Sequence, residues 1–107
     1  LRGQGADVRE TDDLMAAMRG SDVVYMTRIQ KERFDDPAEY ERLKGAYVLD
    51  RAMVDEAKDG ITIMHPLPRV NEIKEDVDSY AGAAYFRQAH NGVPVRMALL
   101  ALVTGRE

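Results

Sequence analysis

Cysteine is absent from the sequence, so it holds no disulfide, no thiolate metal site and no cysteine nucleophile. That absence fits a reducing cytoplasm without requiring one. No block of lysines and arginines occurs, and a formal charge of −4 argues against nucleic acid as the main partner, although local groups of cations can still hold small acids. The longest apolar run, Met97–Val103, is far too short to span a bilayer, and no membrane partner is expected. Leu1–Glu10 is polar and charged, unlike a secretory signal. The chain also lacks an initiator methionine, and its first residues read as a linker or a strand already under way; the expectation is a natural chain that starts earlier. No glycine-rich dinucleotide fingerprint, Walker loop or nucleophile elbow is present, which leaves nucleotide binding and acyl-enzyme chemistry without support.

What is present is globular. Hydrophobic residues make up 45% and charged residues 32%, a balance that separates the chain from disordered tails. Its 107 residues allow one domain at most, and equally half of a two-domain enzyme. Strand candidates are Ala6–Glu10, Val23–Met26, Ala46–Leu49 and Ile61–Met64. Between them fall helical stripes: one from an N-cap at Thr11 to Gly20, one begun by Asp36-Pro37 and stopped at Gly45, and one from Arg51 to Lys58. The uninterrupted apolar run at Val23–Met26 suggests a strand covered on both faces, and Ala6–Glu10 followed by a helix suggests its parallel partner. Glu72–Ser79 reads as acidic and solvated, and Ala83–Ala89 as a short helix broken at Asn91-Gly92. Pro94 then opens a last helix with a wide apolar stripe. The alternation predicts an α/β fold with a mainly parallel sheet flanked by helices.

Two strand exits stand out. Ile61–Arg69 ends in Pro66 and Pro68 with one residue between them, so His65 and Leu67, each preceding a proline, are pushed toward extended backbone. Such a rigid loop can hold carbonyl oxygens at fixed positions. Val23–Arg33 has the same form, a strand passing at once into polar and cationic residues. Ligands of open parallel sheets sit at the carboxyl ends of strands, which makes the two stretches candidate walls of one site. Arg28 and Gln30 lie two apart and project to the same side in extended backbone. A guanidinium fork there matches a carboxylate, and the amide beside it reads a second polar group, which together suit a small dicarboxylate or an amino acid. The same residues also fit a solvated turn, with Arg28 paired to Glu32 or Arg33 to Asp36. Arg69 and Glu72 either face a ligand or brace the loop. His65 fits a hydrogen-bonded structural group better than a base or metal ligand, and His90 fits a turn. Asp12-Asp13 and Asp35-Asp36 are better helix starts than acid–base dyads.

Val24–Arg33 (Val-Tyr-Met-Thr-Arg-Ile-Gln-Lys-Glu-Arg), His65–Arg69 (His-Pro-Leu-Pro-Arg), Tyr85–Ala89 with Asn91-Gly92, and Arg96–Leu102 together resemble the C-terminal part of the catalytic chains of aspartate carbamoyltransferases, in order and spacing, across nearly the whole sequence. The related ornithine enzymes carry a cysteine in the His-Pro-Leu-Pro position and lack the Arg-x-Gln pair, so the aspartate enzymes are the better match.

The resemblance implies transfer of a carbamoyl group from carbamoyl phosphate to the α-amino group of L-aspartate, in pyrimidine biosynthesis. It assigns Arg28, Gln30 and Arg33 to L-aspartate, and Pro66, Leu67 and Pro68 to carbamoyl phosphate, with the Leu67 carbonyl orienting the amine. It also implies a cis bond before Pro68 and a mobile loop over Ile29–Glu41. No metal and no cofactor are implied. Family members often carry an aspartate at the place of Asn71 that bonds a tyrosine matching Tyr40, so that contact is in question here. The carbamoyl-phosphate domain of the family has no counterpart in these residues. The chain is therefore expected to be the C-terminal part of an aspartate-binding domain, inactive alone and with exposed apolar surface on its last helix. The whole enzyme is expected to be a cytoplasmic homotrimer, with or without a separate regulatory chain. The alternative is a non-catalytic amino-acid-binding or regulatory module derived from a carbamoyltransferase, or an inactive homologue serving as a scaffold.

Overall fold

The structure, a computed structural model, describes residues 2–30 and 34–106. Its centre is a parallel pair of strands, β1 (Val23–Tyr25) and β2 (Thr62–Met64), in the register Val23 to Thr62, Val24 to Ile63 and Tyr25 to Met64. The pairing runs one residue further, Met26 N–H donating to the Met64 carbonyl at 2.9 Å, so both strands end at the same edge. Ile63 sits at the middle of the core with Met18, Leu49, Val54, Ile61, Ile73, Val77 and Tyr85, all nearly free of solvent.

Among the described residues four α-helices accompany the pair: α1 (Leu14–Arg19), α2 (Pro37–Leu43), α3 (Arg51–Glu56) and α4 (Tyr85–Val103). The starts of the first three are built by aspartates, whereas α4 begins at Ala84 without a side-chain cap. Asp13 accepts from the Ala16 N–H, Asp36 from Ala38 and Asp50 from Met53, each satisfying a donor that the first helical turn leaves open. The cap of α1 is thus Asp13; Thr11 instead accepts the Asp13 N–H at 3.1 Å and sets up the turn before it.

Five expectations are corrected. Residues 6–10 form no strand, and β1 finds its parallel partner in β2, across α2 and α3. β1 is not covered on both faces: Val23 and Tyr25 are about half exposed, because the described residues supply packing to one face only. Leu49 is a single parallel bridge to Ile73 and not a strand. The segment 72–79 is not solvated throughout, since Glu72, Ile73 and Val77 are buried; its acidic residues mask two core positions four residues apart. Finally, α4 runs unbroken for 19 residues through Asn91, Gly92 and Pro94, which also places His90 in a helix and not in a turn. Pro94 withholds one ladder hydrogen bond, but Tyr85 and Gln88 anchor the preceding turns, and the helix continues past that local cost.

The apolar surface expected on α4 is exposed, Val95, Leu99, Leu102 and Val103 on the anticipated stripe, but it is not confined to that face: Val93, Met97 and Leu100 are exposed on the opposite side. No described helix is long and apolar enough to cross a membrane.

One close approach fixes how α4 meets the sheet. Gly82 accepts the Ile63 N–H at 2.8 Å, and a methyl group at Gly82 would overlap the Ile61 carbonyl oxygen and the Tyr80 ring. Tyr80 cannot simply swing aside, because its hydroxyl donates to that same carbonyl at 2.9 Å. Gly82→Ala is therefore expected to lower the unfolding free energy by at least about 2 kcal/mol, measured by urea denaturation.

Candidate functional site

Because β1 and β2 are parallel and end together, the residues that follow them are neighbours. Thr27, Arg28 and Gln30 from the first exit and His65, Pro66, Leu67 and Pro68 from the second line one cleft of about 400 Å³. Arg28, Gln30, Pro66 and Pro68 are exposed to it and Leu67 is half-buried. The two predicted walls are thus brought together. Arg33, and with it the Glu32 and Asp36 pairings considered for this turn, lies outside the described residues or depends on them. Asn71 and Tyr40 line a second, smaller pocket of about 90 Å³ on the other side of Arg28.

The proline loop is held from inside. The peptide bond between Leu67 and Pro68 is cis, and Leu67 has φ +50°, a left-handed conformation that costs a branched residue about 1–2 kcal/mol. The Leu67 N–H, the only free one among residues 66–68, donates to His65 Nδ1 at 2.8 Å. Since a backbone N–H can only donate, Nδ1 carries no proton and the ring proton is on Nε2, where it faces Glu72 Oε1 at 2.7 Å. The second Glu72 oxygen accepts the Val70 and Asn71 N–H groups at 3.2 and 3.1 Å. His65 and Glu72 are 1% and 5% exposed, so neither has room to act on a ligand directly. Glu72 braces the loop, and His65 is the structural group the sequence suggested.

Behind the loop, Arg69 grips Asp78 with both guanidinium nitrogens, one contact at 2.7 Å, and lies over the Tyr85 ring at 5.6 Å. The Tyr85 hydroxyl donates to the same Asp78 carboxylate. From α4, Gln88 accepts the His65 backbone N–H at 3.0 Å and donates to the Tyr25 hydroxyl at 2.9 Å, tying both strand exits to one helix. Glu72, Asp78, Tyr25 and Gln88 were not singled out as one bracing system by sequence. Only the side-chain types, polar residues inside apolar surroundings, signal them.

These contacts set the charge states. Burial alone would raise the Glu72 carboxyl, but hydrogen bonds from its own backbone, His65, Val70 and Asn71 reverse that and hold it below the usual carboxylate range. The Arg69 guanidinium does the same for Asp78, against burial. Tyr85 is pushed up to about 12, first by burial and then by its bond to Asp78. Carboxyls with depressed folded pKa values lend stability that is complete above their unfolded range and is lost as pH falls through the folded values. Tyr85 acts in the opposite sense, its contribution being complete below its ordinary value and lost as pH rises through about 12. Melting temperature against pH is thus expected to fall on both sides of a neutral plateau. Asp78→Asn should flatten part of the acid limb, in differential scanning calorimetry.

Among the described residues no cluster of histidine and carboxylate side chains could hold a metal ion. The cleft offers a planar cation, an amide and rigid backbone carbonyls, a set suited to recognising and orienting an anionic ligand. A parallel α/β unit presenting such groups where its strands end is of the ligand-binding class defined by strand-end crevices.

The comparisons agree and go further. The family described as aspartate/ornithine carbamoyltransferase, Asp/Orn binding domain, matches residues 1–103. The aspartate carbamoyltransferase catalytic subunit of Korarchaeum cryptofilum is 60% identical over 88% of this chain, which covers 32% of that protein. The aspartate transcarbamoylase of Trypanosoma cruzi, solved in complex with aspartate and phosphate, superposes with a TM-score of 0.80 at 38% identity, over 92% of this chain and 33% of that one. The same enzyme in complex with carbamoyl phosphate and aspartate gives 0.72 at 43% identity, over 80% and 28% of the two chains. The chain belongs to the aspartate/ornithine carbamoyltransferase family and matches its Asp/Orn binding domain. It has that family's α/β fold in part, and it spans about a third of the length of the curated relatives it matches.

Proposed function

We propose that this chain is the C-terminal part of the aspartate-binding domain of an aspartate carbamoyltransferase catalytic chain, the carbamoyl-phosphate-binding domain lying outside these residues. The whole enzyme transfers the carbamoyl group of carbamoyl phosphate to L-aspartate, giving N-carbamoyl-L-aspartate and phosphate for pyrimidine synthesis. The observation that carries this reading is the single cleft that joins Arg28 and Gln30 to the Leu67-Pro68 backbone. In support, the homologues matched are named as aspartate carbamoyltransferase catalytic subunits, which favours an enzyme over a non-catalytic binding module.

In this reading Arg28 takes an aspartate carboxylate in its fork, Gln30 assists, and Arg33 helps to order the same loop. Pro66, Leu67 and Pro68 meet carbamoyl phosphate through backbone. The Leu67 carbonyl accepts a hydrogen bond from an N–H of the α-amino group and turns the nitrogen lone pair toward the carbamoyl carbon. The new C–N bond forms, the bond from that carbon to the phosphate oxygen breaks, and the amine proton leaves with phosphate. No covalent enzyme intermediate is needed, and the rate comes from positioning and charge neutralisation. We assign the enzyme to the cytoplasm as a homotrimer of full-length chains, with or without a regulatory chain.

The test begins with the intact mass of the natural gene product, followed by an assay of carbamoyl-aspartate formation on that protein. A product about three times the size of this chain that forms carbamoyl-aspartate supports the reading, given the length ratio of its relatives. A natural product no longer than this chain, or a longer one without activity toward L-aspartate, overturns it.

A further inference from the structure

The buried pair His65 and Glu72 has no task in the chemistry above, yet the His65 ring bonds the N–H of Leu67, the residue whose carbonyl that chemistry depends on. We propose that His65 is a positioning residue for Leu67, held by Glu72 in the one tautomer that lets it accept the Leu67 N–H. The inference rests on the reading that Leu67 meets the substrates.

Four observations carry it. First, Leu67 sits at φ +50° between two prolines, a conformation it would not keep unaided. Second, neither Pro66 nor Pro68 has an N–H, so the Leu67 N–H is the only main-chain donor by which the surrounding structure can fix the loop between them. It is spent on His65 Nδ1. Third, that bond exists only while Nδ1 is bare, and Glu72 Oε1 at 2.7 Å from Nε2 fixes the proton on the far side of the ring. Fourth, the remaining Glu72 oxygen is saturated by Val70 and Asn71, and the backbone of His65 is fixed by Gln88, so the ring cannot turn without breaking other buried bonds. The chain of constraint thus runs from Glu72 through the imidazole to the peptide plane that carries the Leu67 N–H, and from there, through the Leu67 φ of +50°, it orients the carbonyl on the far side of that residue.

Two side chains separate this role from mere packing. Asparagine at 65 puts an acceptor near the place of Nδ1 but cannot reach Glu72; glutamine extends toward Glu72 but leaves the Leu67 N–H unmet. In the full-length enzyme, His65→Asn is expected to keep kcat within about tenfold of wild type, and His65→Gln to lose about 100-fold or more in kcat at comparable melting temperature, the scale of a misplaced reacting group. Equal losses, or a His65→Gln variant as active as His65→Asn, would overturn the proposal. Should His65→Gln fail to fold, His65→Asn decides alone, a 100-fold loss in a folded protein counting against. Nitrogen-15 spectra of the wild-type imidazole give a readout independent of turnover. A proton on Nε2 with a bare Nδ1 is expected, and an Nδ1-protonated ring overturns the tautomer. If the wild-type protein forms no carbamoyl-aspartate, the proposed function falls on that assay, while the spectra still decide the His65 to Leu67 bond.

Discussion

Replacing Arg28 by alanine in the full-length protein is expected to lower kcat/KM for L-aspartate, the proposed substrate, by about 30- to 5,000-fold, the equivalent of about 2–5 kcal/mol for truncating one member of a desolvated charge pair. The size follows from where the guanidinium is. It lines the cleft shared with Leu67 and Pro68, and it is exposed in the absence of a ligand. Its charge is therefore available to a carboxylate, and the loop's prolines limit the water that can replace the lost contact. Arg28→Lys keeps the charge without the planar fork and should fall between wild type and alanine, because a point charge does not reproduce two parallel hydrogen bonds. The melting temperature should hardly move for either variant, since the side chain is exposed. Steady-state kinetics with aspartate as the varied substrate decide the matter. Wild-type constants for Arg28→Ala would show that the cleft is not the aspartate site.

The second large effect is on stability. Glu72→Ala is expected to lower the unfolding free energy by about 3–5 kcal/mol, as when a buried pair loses one partner. One carboxylate satisfies three donors here, the His65 ring and the Val70 and Asn71 backbone, and all three are left facing a cavity in the variant. The cost should be greatest at neutral pH and shrink in acid, where the wild-type carboxylate itself is protonated and its depressed folded pKa no longer contributes. Urea unfolding of both proteins across that range measures it. A difference that did not change with pH would mean the loss comes from packing and not from charge.

Much of the site was legible because its signals are local. Proline fixes its own φ and withholds an N–H wherever the chain goes, and Arg28-Ile29-Gln30 needs only extended backbone to align two polar groups. The aspartate cap of α2 is equally local. Leu67, expected to be extended before Pro68, instead takes φ +50°, held by its bond to the His65 ring. What the sequence concealed is long-range. Whether Val23–Tyr25 pairs with the segment before it or with one about forty residues later depends on tertiary packing, and short strands carry little register information of their own. Glu72 looks like its acidic neighbours until His65 is folded against it. Gln88 is an ordinary helix residue until its amide is found between two strand exits. The turn signal at Asn91-Gly92 was genuine as a propensity, and the packing of Tyr85 overrode it.

That last feature has a mechanical side. α4 is a rigid rod held at one end by Tyr85 and Gln88, and its apolar far end stands clear of the rest of the described chain. From Gln88 to Val103 the rod is about 22 Å long at the usual rise per residue. A shift of the whole rod by about 2 Å would carry Gln88 with it, beyond the tolerance of a hydrogen bond. Because a single amide serves both exits, such a shift would loosen the Arg28 wall and the proline wall in one stroke. A shift of α4 would therefore alter the width of the cleft without contact to Arg28, Leu67 or Pro68.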